Sequence, residues 1–355
     1  MNILLFVIQD TYTGGAEGIL HQISDYYLQK GEQVYVLFYK PKGYGHWEKK
    51  DCPNLHLLYG GGSKLLSNIL FLKKICFDYS YSSLVSLTSI LGCLRRLRIL
   101  HIIKLVGRES TIIFDRFKGL DLCRKKLMYR LGYPAVDILI CQTNYMKERL
   151  LHFQPWIENN SKVVVIPNPV DVEMMNSKTK EDSKEIPDVP YIVTAGRFIP
   201  EKGYDILIDA YNILKKNHPE VKLVILGDGK LRKALEDQVR VLGLKDDVMM
   251  PGFSKNVYPW FHKAQLCVIS SRVEGFPNVL LQMMSQNERV VSTLCAGDID
   301  RIKGLTTCPP NDVDGLVAAM EESLYLQETE PNRKIFDEEL TNRSIDNFIH
   351  LLETT

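Results

Sequence analysis

The 355-residue chain has eight cysteines but no Cys-x-x-Cys pair, no internal repeat and no low-complexity tract. Most of its thiols sit in apolar runs, as Cys141 and Cys267 do. They read as buried, reduced groups rather than paired ones, which points to a cytoplasmic protein. Long hydrophobic runs are also missing. The longest, Leu84 to Leu94, is broken by Ser and Thr and stops at Arg95, short of the roughly 20 residues that span a bilayer. No basic segment precedes the apolar run Ile3 to Ile8, which argues against a signal peptide. With 45% hydrophobic and 25% charged residues the chain is neither disordered nor fibrous, and its length suits two globular domains.

Overall charge is nearly absent, at +1, but it is unevenly spread. Residues 1–180 carry 24 Lys and Arg against 15 Asp and Glu; the remainder carries 20 against 28. A basic first half implies an anionic partner. Two segments supply the contacts, Arg95 to Arg98 and Arg116 to Arg130. In the second, Phe117, Leu120, Leu127 and Leu131 recur at roughly helical spacing among Lys118, Arg124, Lys125, Lys126 and Arg130. That pattern suits either a helix on an anionic membrane surface or a solvated helix face. Nucleic acid is the less favoured partner.

Short β-rich runs alternate with amphipathic stretches throughout. The first half has Ile3–Ile8, Val34–Tyr39, Ile102–Val106, Ile138–Cys141 and Val163–Ile166. The second has Tyr191–Ala195, Val221–Leu226, Val248–Met250, Leu266–Ile269 and Val290–Ser292. This rhythm predicts an α/β chain of two doubly wound, Rossmann-like domains with parallel sheets. The expected domains are 1–170 and 171–332. Residues 333–355 are expected to form a terminal helical segment that packs back toward the N-terminal domain. Asn176 to Pro190 reads as a solvated linker.

Candidate chemistry lies where strands give way to helices. Gly14 and Gly15 follow the first strand, in a turn that lets backbone approach a ligand. Gly196-Arg197-Phe198-Ile199-Pro200-Glu201-Lys202-Gly203 sets two cations five residues apart, able to converge on a diphosphate. Gly227 and Phe253 lie in the loops after the next two strands. Ser270-Ser271-Arg272-Val273-Glu274-Gly275-Phe276-Pro277-Asn278 then runs into an apolar helix, with Gln282 eight residues beyond Glu274. Arg108 and Glu109 end the run from His101. Asp298–Asp300 and Asp312–Asp314 read as loop carboxylates, with no metal or other cofactor expected.

These motifs, in this order, resemble the retaining GT-B glycosyltransferases of glycosyltransferase family 4, over nearly the whole chain. The Glu-x7-Glu element of that family is present as Glu274-x7-Gln282, with Ile166-Pro167-Asn168-Pro169-Val170-Asp171 at the domain junction. The resemblance implies two domains facing a cleft, an N-terminal one for the acceptor and a C-terminal one for a nucleoside-diphosphate sugar, UDP being the expected nucleotide. It also implies that Arg197 and Lys202 neutralise the diphosphate without metal. Glu274, Gly275, Phe276, Pro277 and Asn278 would hold the sugar, Gln282 would face the ribose, and Gly14 and Gly15 would close over the phosphates. Gly227 and Phe253 join the donor side, Arg108 and Glu109 the acceptor side. Departures are Gln282 for Glu, Glu17-Gly18 for Glu-Arg, Asn287 and Arg289 for Gly and Pro, and Asp300 for Glu. An amide accepts at one oxygen only, so one ribose bond reverses or is lost, at about 1 kcal/mol.

The expected activity is transfer to a glycan, lipid-linked, in surface polysaccharide assembly at the inner face of the cytoplasmic membrane. The alternatives are a catalytically impaired nucleotide-sugar-binding protein, suggested by Gln282, and a nucleotide-sugar epimerase or hydrolase of the same fold, which would need more cleft carboxylates.

Overall fold

A computed structural model describes residues 1–11, 15–43, 45–49, 51–181, 185–326 and 330–355. The chain divides into two compact units, Met1–Pro169 with Ile345–Thr355, and Val170–Ser344.

The first unit runs β1 (Asn2–Val7), α1 (Gly15–Gln29), β2 (Gln33–Phe38), β3 (Leu55–Tyr59), α2 (Ser63–Leu72), β4 (Cys76–Ser82) and α3 (Val85–Arg96). It continues through β5 (His101–Arg108), α4 (Ile113–Arg116), α5 (Gly119–Gly132), β6 (Ile138–Cys141), α6 (Asn144–Phe153) and β7 (Lys162–Val165). All seven strands are parallel, in the order β3-β2-β1-β4-β5-β6-β7. Both faces of the sheet are covered, which is why β1 is apolar at every inward position. Ile3, Leu5 and Val7 pack with α1 on one face. Leu4 and Phe6 pack with Leu72 of α2, Leu91 of α3, Tyr129 of α5 and Leu150 of α6 on the other. The crossing of α3 on α5 is close because Gly92 and Gly132 meet there; a Cβ on Gly92 would overlap the Gly132 carbonyl.

The second unit runs α7 (Val172–Thr179), β8 (Tyr191–Ala195), α8 (Tyr204–Leu214), β9 (Lys222–Leu226), α9 (Arg232–Val241), β10 (Val248–Gly252), α10 (Tyr258–Lys263) and β11 (Leu266–Ile269). After these come α11 (Asn278–Met284), β12 (Val290–Thr293), β13 (Thr306–Cys308), α12 (Val313–Tyr325) and α13 (Glu330–Thr341). The strand order is β10-β9-β8-β11-β12-β13, again all parallel. Helices α8, α9 and α12 cover one face; α7, α10, α11 and α13 cover the other.

All ten expected strands form, and the sheets add β3, β4 and β13. The units part at Pro169, ahead of α7, so Asn176 opens no free linker; it lies in a helix of the second unit. The terminal residues divide. Phe336 and Leu340 of α13 belong to the second unit's core, whereas Phe348, Ile349 and Leu352 of α14 (Ile345–Glu353) pack with α1 in the first. Among the described residues no helix is long and apolar enough to cross a membrane.

Candidate functional site

Open parallel sheets bind ligands beyond the carboxyl ends of their strands, where the strand order reverses. In the second unit the chain leaves β8 toward β9 and β10, then returns to β11 on the other side of β8. The loops after β8 and β11 therefore flank the reversal, and they hold the Gly196–Gly203 and Ser270–Asn278 motifs.

The two loops are tied to each other. Pro200–Lys202 makes a single 3-10 turn, ended by Gly203 at φ 63°. Glycine is required there twice over: the conformation is left-handed, and a Cβ would overlap the Ser270 carbonyl. Ser270 Oγ donates to the Lys202 carbonyl at 3.0 Å, and Arg272 N donates to the Glu201 carbonyl at 2.7 Å. Lys202 Nζ then donates to Glu274 Oε1 at 2.6 Å, and Ser271 Oγ reaches the same oxygen at 2.9 Å. Both charged side chains are largely shielded from water, so the pair is stronger and better fixed than a surface ion pair. Arg197, by contrast, is exposed, with no side-chain partner among the described residues.

Around this pair the other donor-side candidates take distinct places. Gly227 follows β9, where a Cβ would overlap the Gly196 carbonyl. Phe253 follows β10 and is 63% exposed, an aromatic face open for stacking. Gly275, Phe276 and Pro277 are buried and Asn278 half-buried. The Phe276 ring packs under the Arg343 guanidinium at 4.9 Å, so its contribution to a ligand is through backbone. On α11, Gln282 Nε2 donates to Tyr258 Oη at 3.3 Å, which commits the NH2 side of the amide to the protein. The sequence singled out neither Ser271 as the second partner of Glu274, a contact set by the turn of a single loop, nor Tyr258 as the partner of Gln282, a contact between two helices.

Arg272 stood in the quoted motif without a role. Its Nη1 and Nη2 grip Asp205 at 2.9 and 2.6 Å, Nη1 also reaches the Pro200 carbonyl at 2.6 Å, and Nε reaches Asn311 Oδ1 at 2.7 Å. This guanidinium is filled by the fold and holds the loops in place. Asp312 caps α12 by accepting from Gly315 N at 2.9 Å, and Asp298 faces Arg301 at 3.5 Å.

In the first unit Gly15 opens α1 and is exposed, while Gly14 lies outside the described residues. Arg108 and Glu109, expected on the surface facing an acceptor, are both buried. Glu109 accepts from Tyr129 Oη and Tyr133 Oη, each at 2.8 Å, and burial pushes its carboxyl up to about 7. Its side chain is thus engaged internally. Arg108 donates to Asn168 Oδ1, Asn168 Nδ2 to Gln142 Oε1 at 2.9 Å, and Gln142 Nε2 to the Glu109 carbonyl at 2.7 Å. Of the basic segment Arg95–Arg98, Arg95 binds Asp137 and the Ala135 and Ile103 carbonyls, and Arg96 binds the Leu131 carbonyl. These two bind protein, whereas the sequence offered them to an anionic surface.

Residues 13–174 match glycosyltransferase family 4, and residues 189–325 match glycosyl transferases group 1. Each unit is thus similar over most of its length to a glycosyltransferase family. A Campylobacter jejuni protein, N-acetylgalactosamine-N,N'-diacetylbacillosaminyl-diphospho-undecaprenol 4-alpha-N-acetylgalactosaminyltransferase, is 32% identical over 168 residues, 47% of this chain and 44% of that protein. The lipopolysaccharide core biosynthesis glycosyltransferase LpsE of Rhizobium meliloti is 30% identical over 169 residues, 47% of each. The chain spans about half the length of the curated relatives it matches. Among solved structures, Anabaena Alr3699/HepE in complex with UDP superposes with a TM-score of 0.79 at 17% identity, over 100% of this chain and 99% of that one. The same protein with UDP-glucose gives 0.80 over 99% and 100%. At that identity the likeness establishes the fold. One departure of this chain from the resembled pattern has a structural reason: Asn287 Nδ2 donates to the Phe261 and Ala264 carbonyls, both at 2.8 Å, and so closes the end of α10.

Proposed function

We propose that this chain is a glycosyltransferase that moves a sugar from a nucleoside-diphosphate sugar, UDP being the nucleotide, to a lipid-linked glycan with retained configuration and without a metal. The observation that carries the reading is the Lys202–Glu274 pair at the strand-order reversal, with exposed Arg197 on the same loop. As the donor bond breaks, negative charge gathers on the departing phosphate. A cation already fixed beside that oxygen stabilises the transition state more than the ground state. Lys202 is so fixed by Glu274, and Arg197 adds a second charge. Glu274, bound to Lys202 and Ser271, serves as an acceptor for sugar hydroxyls rather than as a free base. Phe253 offers its face to the base, Gln282 its carbonyl to the ribose, and Gly227, Gly275 and Asn278 let backbone approach.

The acceptor side of this reading is supported by the polysaccharide and lipid-linked names of the relatives and by one face of the first unit. Helices α2 and α5 bury Leu72 and Tyr129 in the same cluster, so their outer sides point away from the same sheet face. Those outer sides carry Leu66, Leu70 and Phe71 on α2 and Leu120, Leu127 and Leu131 on α5, each roughly half or more exposed. Around them stand Lys64, Lys73, Lys74, Arg124, Lys126 and Arg130. Apolar side chains ringed by cations suit peripheral attachment to an anionic inner membrane face.

The test is to incubate the protein with a panel of nucleotide-sugars, with and without membrane lipid extract, and to assay nucleoside diphosphate and glycosylated lipid. Lipid-dependent release with a glycosylated product is the expected result. Release that ignores lipid would mean hydrolysis, and tight donor binding without turnover would mean a binding protein.

A further inference from the structure

Arg108 ends β5, beside β4 and at the carboxyl edge of a sheet whose order reverses between β1 and β4. Its side chain is 4% exposed. Nη2 is bound by Asn168, yet the buried Nε and Nη1 meet no acceptor among the described residues. The neighbouring Glu109 carboxylate favours the charge through space, but its hydrogen bonds come from Tyr129 and Tyr133, so it does not fill these donors. Arg95 and Arg272 are guanidiniums that serve structure. Each is met by a carboxylate and by further acceptors. A buried cation with two vacant donors is costly to keep unless something fills them. Burial pulls the Arg108 guanidinium downward, but an arginine keeps its charge at neutral pH.

We propose that Arg108 is an anion-binding residue, kept vacant for a phosphate-type oxyanion at the carboxyl edge of the first sheet, and that Asn168 and Gln142 are the positioning residues that aim it. The chain Gln142–Asn168–Arg108 fixes one edge of the guanidinium and leaves the other donors for the ligand. The oxyanion is either the donor's diphosphate or an anionic group of the acceptor. Only that choice of source rests on the transferase reading.

Three variants test this by calorimetry, with inorganic pyrophosphate and with UDP as probes, alongside melting temperatures. Arg108→Met removes the charge at similar length, Arg108→Lys keeps it, and Asn168→Asp supplies an internal counter-charge. Arg108→Met and Asn168→Asp are expected to weaken pyrophosphate at least tenfold while melting no lower than wild type. Arg108→Lys should fall between. If UDP weakens in parallel, the anion is the donor's diphosphate. If UDP is unchanged and only pyrophosphate bound in saturating UDP is lost, it belongs to the acceptor. Wild type that binds pyrophosphate through Arg108 but not UDP would sink the transferase reading and leave this one standing. Unchanged affinities in both variants, no pyrophosphate binding by wild type, or a lower melting temperature with affinity intact would overturn it.

Discussion

At the scale of single residues, the Lys202–Glu274 contact turns two sequence candidates into one device, and it ranks the site's members. Removing Lys202 takes away a fixed charge and frees Glu274 to repel the diphosphate. Lys202→Ala should therefore lower the initial rate of nucleoside diphosphate release about 100-fold or more, the usual size for a lost transition-state donor. Gln282→Ala removes one neutral hydrogen bond worth about 1 kcal/mol, so a loss of about fivefold is expected in the same assay. Equal losses would mean that the phosphate and ribose roles are misassigned. Glu109 makes a different prediction, about stability. Burial raises its folded pKa to about 7, above the ordinary carboxyl value of 4.5, so the folded state holds the proton more tightly. The favourable contribution is full below about 4.5 and is lost as pH rises through about 7. Glu109→Gln should remove the fall in urea-unfolding free energy over that window, on the order of 3 kcal/mol, and should leave wild type the less stable protein at pH 8.

Helices and strands show where local sequence suffices and where it does not. Strands buried on both faces, such as Leu4–Val7 or Leu266–Ile269, announce themselves as continuous apolar runs. Strand β4 does not. Cys-Phe-Asp-Tyr-Ser-Tyr-Ser looks polar, yet it is central, and its tyrosines and serines find partners only in the folded sheet, as Tyr81 does with Tyr27 at 2.6 Å. The same limit applies to the site. Strand-to-helix spacing located Lys202, Glu274 and Gln282, while Tyr258, Asn168 and Gln142 acquire their roles through contacts between elements. For α5 the apolar spacing was visible, but which way it faced was not: Phe117 is half-buried while Leu120, Leu127 and Leu131 point outward. What α5 does bury is the crossing with α3, where Gly92→Ala would drive a methyl into the Gly132 backbone. A loss of about 2 kcal/mol or more is expected from such overpacking, read as a lower thermal midpoint. The outward face has its own check. Leu70→Glu with Phe71→Glu should abolish sedimentation with vesicles rich in anionic phospholipid and leave the thermal midpoint within about 2 °C, since neither side chain is buried. Undiminished sedimentation would remove α2 from the membrane reading.

At the scale of the whole molecule, the second unit is an insertion within the first. The chain leaves the first unit at Pro169 and re-enters it at Ile345. The ends of the second unit meet, because Val170 N donates to the Arg343 carbonyl at 2.8 Å. A segment with its own two-sided core and adjoining ends has what an independent domain needs, so residues 170–344 alone should unfold in one cooperative transition and bind UDP. Residues 1–169 alone should fare worse. They lack α14, whose Phe348, Ile349 and Leu352 are buried against Ile19, Ile23 and the β1 face. Each such side chain contributes about 2 kcal/mol on burial, so losing three removes a sizeable share of a domain's usual stability of about 5–15 kcal/mol. Because Val170 and Arg343 adjoin, a short Gly/Ser linker from Pro169 to Ile345 can restore α14 without the second unit. The linked fragment is expected to melt cooperatively, and the 1–169 fragment to bind a hydrophobic dye and aggregate. Equal melting of the two fragments would mean that the terminal helix decorates the first domain and does not complete it.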